Sequence, residues 1–225
     1  MTTVVAAPLI RWDWVFRNGD KIVERIIEHL ILTGLAVGFG IAIALVLTAI
    51  ILRWRGAYGP ITGITGLMYS IPSVALFAFF VPITGITILT AEIALVSYTL
   101  LILIRNTIAG LDGVPNDVRE AATGMGYTRR RLLFEIELPL ALPVIITGIR
   151  IATVTVIGLV TISSLIGLGG LGQFILQGLT TFSSPIGTTK IFLGTGLSIV
   201  LAIVIDLGLV LVERLVTPWA RRVAN

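Results

Sequence analysis

The chain has 225 residues, 56% of them hydrophobic and only 12% charged, with a net charge of +4 and a mean hydropathy of +1.04. Soluble domains of this length do not reach such values, so the chain reads as a polytopic membrane protein. The absence of cysteine excludes disulfides, thiolate nucleophiles and sulfur-ligated metals, and with no basic stripe interleaved with aromatics the positive excess speaks for membrane topology, not nucleic-acid binding.

Met1 to Pro8 lacks a basic start, and no apolar core of signal length follows, so no cleavable signal is expected. Trp12, Trp14 and Phe16 suit a membrane interface. From Asp20 to His29 the apolar Ile22, Val23, Ile26 and Ile27 recur at helical spacing opposite Lys21, Glu24, Arg25 and Glu28, which predicts an amphipathic helix lying along the bilayer surface. His29, the one histidine, is read as an interfacial side chain. Five apolar segments follow, each near the roughly 20 residues that cross a hydrocarbon core. They are placed at Leu30 to Leu52, Tyr58 to Val81, Ile83 to Ile104, Leu140 to Leu165 and Ile191 to Val212, with Pro82 and Ile83 to Thr87 turning the second into the third. The expected organisation is an interfacial segment over 1–29, a transmembrane domain over 30–212 and a tail over 213–225. If Arg53 and Arg55 face the cytoplasm, the Glu120 loop and the Arg214, Arg221 and Arg222 tail do so too, leaving the N-terminus outside and the C-terminus inside.

The most polar stretch between spans is Glu120 to Pro139, EAATGMGYTRRRLLFEIELP, within a loop of about 105–139. Lipid cannot satisfy its charges, so it lies in water or against a soluble partner. Pro115, Asn116 and Asp117 start a helix, Gly124 and Gly126 are stop residues, Thr128 caps a second helix running to Glu137, and Pro139 ends it.

The spacing Glu120-Ala121-Ala122, then Gly126, Ile136 and Leu138-Pro139 is similar at every position to the loop signature of permease subunits of ATP-binding-cassette (ABC) importers. That resemblance implies an all-α membrane protein with five transmembrane helices in the type I importer arrangement, an N-terminal amphipathic interfacial helix and a cytoplasmic coupling helix-turn-helix. It implies further that Glu120, Ala121, Ala122, Gly126, Ile136, Leu138 and Pro139 form the contact to a cytoplasmic ATPase. Such a chain is not itself an enzyme and binds no cofactor, ATP and Mg residing on the partner. The implied assembly holds two ATPase subunits, a second permease subunit, identical or related, and an extracytoplasmic solute-binding protein, in the cell membrane of a bacterium or archaeon.

Gly167, Gly169 and Gly172 in GLGGLG satisfy a dinucleotide-binding spacing, but no βαβ unit surrounds them, so a close-packed turn after a membrane helix is the physical reading. This turn, with Ser70 to Leu76 (SIPSVAL) and Arg105 to Leu111 (RNTIAGL), is similar to osmoprotectant permeases, those for glycine betaine, choline or carnitine. Methionine-type permeases share the general scheme and are the alternative. Pro72, beside Ser70, is expected to kink the second span, and Gly34/Gly38 and Gly59/Gly63 form small-residue faces. Glu92, Arg150 and Asp206 are ionisable residues inside predicted spans. With Ser70 and Pro72 they are the candidates for gating or the pathway, Arg150 being able to pair with either acid. An intramembrane protease would need a dyad, paired aspartates or a metal cluster at helix depth, and the spans supply none; a passive channel or scaffold would leave the Glu120 loop without a use.

Overall fold

In lipid an open chain can satisfy its backbone only by closing hydrogen bonds within each segment. The computed structural model describes residues 9–221, and among them every regular element is helical. A short helix α1 (Trp12–Arg17) precedes α2 (Gly19–Arg53), an unbroken helix of 35 residues. At about 1.5 Å per residue α2 is roughly 50 Å long, longer than a hydrocarbon core of about 30 Å. This corrects the surface-lying helix expected over Asp20 to His29: nothing after Asn18 breaks α geometry, so those residues are the first turns of the first span. The N-terminal helix that presents interfacial aromatics is α1, with Trp12 60% and Phe16 80% exposed.

The second predicted span is two helices, α3 (Tyr58–Ser70) and α4 (Ser73–Thr84), and the chain bends by 96° where they meet. Pro72 takes an extended conformation just before α4, so the expected kink is a full break. Pro82 does not form the following turn. It lies inside α4, and the turn falls at Gly85 with φ 72°, where the Thr84 and Thr90 hydroxyls meet at 2.7 Å. The third span, α5 (Ile88–Asp112), accordingly begins five residues beyond the predicted Ile83. A polar connection holds α6 (Asn116–Gly124) and the short α7 (Arg129–Leu132). Beyond it come α8 (Leu138–Ser163), α9 (Gly172–Thr180) and α10 (Pro185–Val216), the last beginning at Pro185 instead of Ile191.

The residues group into two compact units. One takes the chain up to Ala36, Ile71–Leu95 and Val156–Ile203; the other takes Val37–Ser70, Val96–Thr155 and the chain from Val204. The core of the second is built from Ala44 and Ile51 of α2, Leu103, Ile104 and Ile108 of α5, and Ala152 of α8. Close approach there rests on Gly40, where an added Cβ would lie 2.0 Å from Thr99 Oγ1. Among the described residues, setting aside each glycine's own neighbours and helix backbone, nothing lies within 4 Å of a Cβ added at Gly34, Gly38, Gly59 or Gly63, so the predicted faces pack against none of them.

In the first unit Phe77, Leu95, Ile157, Val160 and Leu171 are fully buried. Gly172 starts α9 so close to α8 that an added Cβ would lie 2.0 Å from the Thr161 carbonyl oxygen. Backbone cannot retreat as a side chain can, so Gly172→Ala is expected to destabilise by about 1–3 kcal/mol. Gly34→Ala, with open space around it inside α2, should not lower the unfolding midpoint in detergent, since alanine is the better helix former; equal midpoints for the two variants would refute the packing argument.

Candidate functional site

The polar loop lies within the second unit and is tightly specified. Helix α6 closes with the Tyr127 N–H donating to the Ala122 carbonyl (3.1 Å) and the Gly126 N–H to the Thr123 carbonyl (2.9 Å), while Gly126 sits at φ 84°. This is the glycine-closed helix end in which the left-handed residue is free of Cβ strain. Thr128 then caps α7, its Oγ1 accepting from the Arg131 N–H at 3.3 Å. Arg131 stacks over the Tyr127 ring at 4.4 Å and pairs with Glu135 at 2.9 Å.

Pro139 does not end the second helix, as the sequence suggested. Residues Leu133–Glu137 form a wide π-helical turn that passes directly into α8. A proline ring clashes with the carbonyl four residues back in α geometry; the wider turn in front of Pro139 accommodates the ring, so α7, the turn and α8 make one continuous run, Arg129–Ile166.

Of the predicted contact residues, Glu120 and Ala121 are exposed on α6, Gly126 is exposed at its end, and Ala122 is buried. Ile136, Leu138 and Pro139 are half-buried in and after the π-turn, so they support the loop and do not project from it. Met125, 70% exposed, extends the presented face. The residue that fixes α6 is one the sequence reading missed. Arg119 donates to Glu137 at 2.6 Å, to the Leu111 carbonyl at 2.6 Å and to the Val114 carbonyl at 2.9 Å. One guanidinium thus joins α6 to the end of α5 and to the foot of α8. An arginine beside the conspicuous Glu120 gave no signal of this, because its partners lie eight residues back and eighteen ahead.

The membrane charges resolve into one cluster and one isolated group. Arg150 on α8 meets Asp206 on α10 through two hydrogen bonds of 3.0 and 3.1 Å, and Glu213 at 3.2 Å. The sequence reading missed Glu213 because it fell one residue beyond the predicted end of the last span. Two carboxyl groups thus share one guanidinium, beside a cleft of about 400 Å³ lined in part by Thr147, Val154 and Thr155. Glu92 takes no part: it is 7% exposed, and both its carboxyl oxygens are buried without a hydrogen-bond partner. Ser70 bonds the Gly66 carbonyl at 2.8 Å just before the break at Pro72.

His29 is not interfacial. It is fully buried, with Nε2 3.1 Å from the Ile157 carbonyl and Nδ1 accepting from the Leu171 N–H at 3.3 Å. Its neighbour Glu28 accepts from the Gly170 N–H at 2.8 Å. The glycine turn that mimicked a nucleotide motif is therefore a clasp on α2, with Gly167, Gly169 and Gly170 at positive φ. Among the described residues no group of acidic, histidine or cysteine side chains is placed to hold a metal ion.

Comparison with known proteins agrees with this architecture. The chain is 37% identical over 202 residues to the choline transport system permease protein OpuBB of Bacillus subtilis, covering 89% of this chain and 91% of that one. It is 37% identical over 210 residues to the osmoprotectant import permease protein OsmW of Salmonella typhimurium, covering 91% and 96%. The fold matches a chain of the inward-facing MetNI methionine ABC transporter with a TM-score of 0.75 at 23% identity, over 87% of this chain and 96% of that one. Residues 36–218 match the family described as binding-protein-dependent transport system inner membrane component. A helical bundle carrying this loop, and matched to that family over most of its length, makes the chain a member of the binding-protein-dependent transport system inner membrane components.

Proposed function

We propose that this chain is the permease subunit of an ATP-driven importer for a quaternary ammonium osmoprotectant such as choline, glycine betaine or carnitine. The observation that carries the coupling role is α6, which presents Glu120, Ala121 and Met125 while Arg119 ties it to two membrane helices. A cytoplasmic ATPase pair that moves this knob moves α5 and α8 with it. ATP and Mg belong to those ATPases. The solute class rests on relatives whose names specify choline, carnitine or osmoprotectant transport.

In this reading the N-terminus is outside, the C-terminus is in the cytoplasm, and a second permease copy or relative completes the pathway beneath an extracytoplasmic binding protein. The Arg150–Asp206–Glu213 cluster, the break at Ser70 and Pro72, and Glu92 are the candidate gating elements, because charges in a span face water or protein and not lipid. The test is purification of the chain with its ATPase. Glu120→Arg should abolish copurification, and in the intact complex choline or betaine should raise ATP turnover severalfold where methionine does not. An undisturbed assembly with Glu120→Arg, or stimulation by methionine alone, would overturn the respective half of the proposal.

A further inference from the structure

At the junction between the end of α2 and the α7–α8 turn lies a cleft of about 440 Å³ lined by three leucines, Leu52, Leu132 and Leu133, and by Arg53, Arg55, Arg129 and Glu137. We propose that this cleft binds the phosphate headgroup of an anionic phospholipid, with the start of its acyl chains on the leucines.

Three observations converge on that occupant. First, the basic charge lining the cleft is not neutralised. Glu137, the one acid lining the cleft, is held by Arg119 at 2.6 Å, and Arg55 is paired with Asp112 at 2.9 Å. Among the described residues neither Arg53 nor Arg129 meets a carboxylate; Arg129 donates to the carbonyl of Leu52, another residue lining the cleft, at 3.0 Å. Second, the depth is that of a membrane interface. Arg53 closes the apolar run of α2, Trp54 beside it is 68% exposed and Tyr58 39% exposed, the aromatic and basic pairing found at headgroup level. Third, exposed apolar side chains flank the cleft residues in sequence, Phe134 next to Leu133 at 56% and Leu140 three residues after Glu137 at 44%. A soluble phosphate would satisfy two guanidiniums but has no use for leucines; a phospholipid uses both, and basic pockets at this level recognise such headgroups. The cleft joins the first span to the coupling loop, so a bound lipid would brace α7 against α2. Assignment to the inner leaflet rests on the topology proposed above.

The experiment uses the intact complex of permease, ATPases and binding protein in phosphatidylcholine nanodiscs doped with phosphatidylglycerol, with retained lipid counted by native mass spectrometry. The wild type should retain phosphatidylglycerol selectively, and the double variant Arg53→Gln/Arg129→Gln should weaken retention roughly thirtyfold, about fivefold for each arginine at a membrane surface. Arg130→Gln, the same charge change in the same loop but outside the cleft, should retain the lipid; an equal loss there would show diffuse surface attraction and overturn the site. Leu133→Trp fills the cleft without changing charge and should also release the lipid; retention in that variant would overturn the proposal even if the arginine variant failed to fold. Displacement by inorganic phosphate alone would make the cleft a simple anion site, and loss of the ATPase in place of lipid would assign it to the protein partner; either overturns the lipid reading. Lipid counting needs no transport, so a complex that keeps selective retention yet ignores choline would count against the proposed solute only.

Discussion

Arg119→Ala is expected to uncouple the machine without dispersing it: the ATPases still copurify, but solute-stimulated ATP turnover in the reconstituted complex falls toward the unstimulated rate. The substitution removes the bonds from Arg119 to Glu137 and to the Leu111 and Val114 carbonyls, and it strands Glu137, whose side chain is only 18% exposed. Breaking a fully buried ion pair by removing one partner costs 3–5 kcal/mol; with Arg119 26% exposed and water able to reach the site, about 2–3 kcal/mol is the fitting magnitude. That loss is local, so the first consequence is a knob that moves without its helices. Arg119→Lys, which keeps the charge but not the fork that reaches two carbonyls and a carboxylate together, should recover only part of the stimulation. Full stimulation in Arg119→Ala would show that motion enters by another route.

Arg150→Gln should have the second large effect. It removes the guanidinium shared by Asp206 and Glu213, two turns apart on α10, and with side chains only 34% and 24% exposed they cannot recruit full hydration. A penalty of about 3 kcal/mol follows for partly buried carboxylates losing their partner, which would lower the unfolding midpoint and abolish solute uptake. The informative variant is the double one, Arg150→Gln/Asp206→Asn, which restores hydrogen-bonding partners with one fewer stranded charge. If the cluster is a mutual ion pair, the double variant is more stable than Arg150→Gln alone, and a double-mutant cycle reads a coupling of about 0.5–3 kcal/mol. Additive effects would mean that the two side chains act independently.

Much of this was legible in the sequence, and the failures share causes. The apolar runs located the long apolar helices, four of them unbroken and one run broken at Pro72, and the loop residues gave α6, its glycine closure and the Thr128 cap, because those signals are local. Helix ends were misplaced where a proline was read by its usual habit: Pro82 and Pro139 both sit inside helices, the latter behind a π-turn. Conversely Pro72, read as a kink, marks a break. Contacts between residues far apart in the chain were invisible, which is why Arg119, Glu213 and the burial of His29 were missed. Arg150 is the instructive middle case: its place inside a span left either Glu92 or Asp206 as partner, and only packing chose Asp206.

The clasp of Glu28 and His29 on the glycine turn spans 142 residues of sequence, and this dictates a schedule of biogenesis. Ribosomes add roughly 5–20 residues per second, so roughly 6–24 s pass between completion of α2 at Arg53 and synthesis of Leu171, whose N–H meets the imidazole. During that interval the imidazole lacks the Ile157 carbonyl and the Leu171 N–H that partner it in the finished fold. Premature termination anywhere short of Leu171 should therefore yield a fragment marked for membrane proteolysis, however many complete helices it already contains.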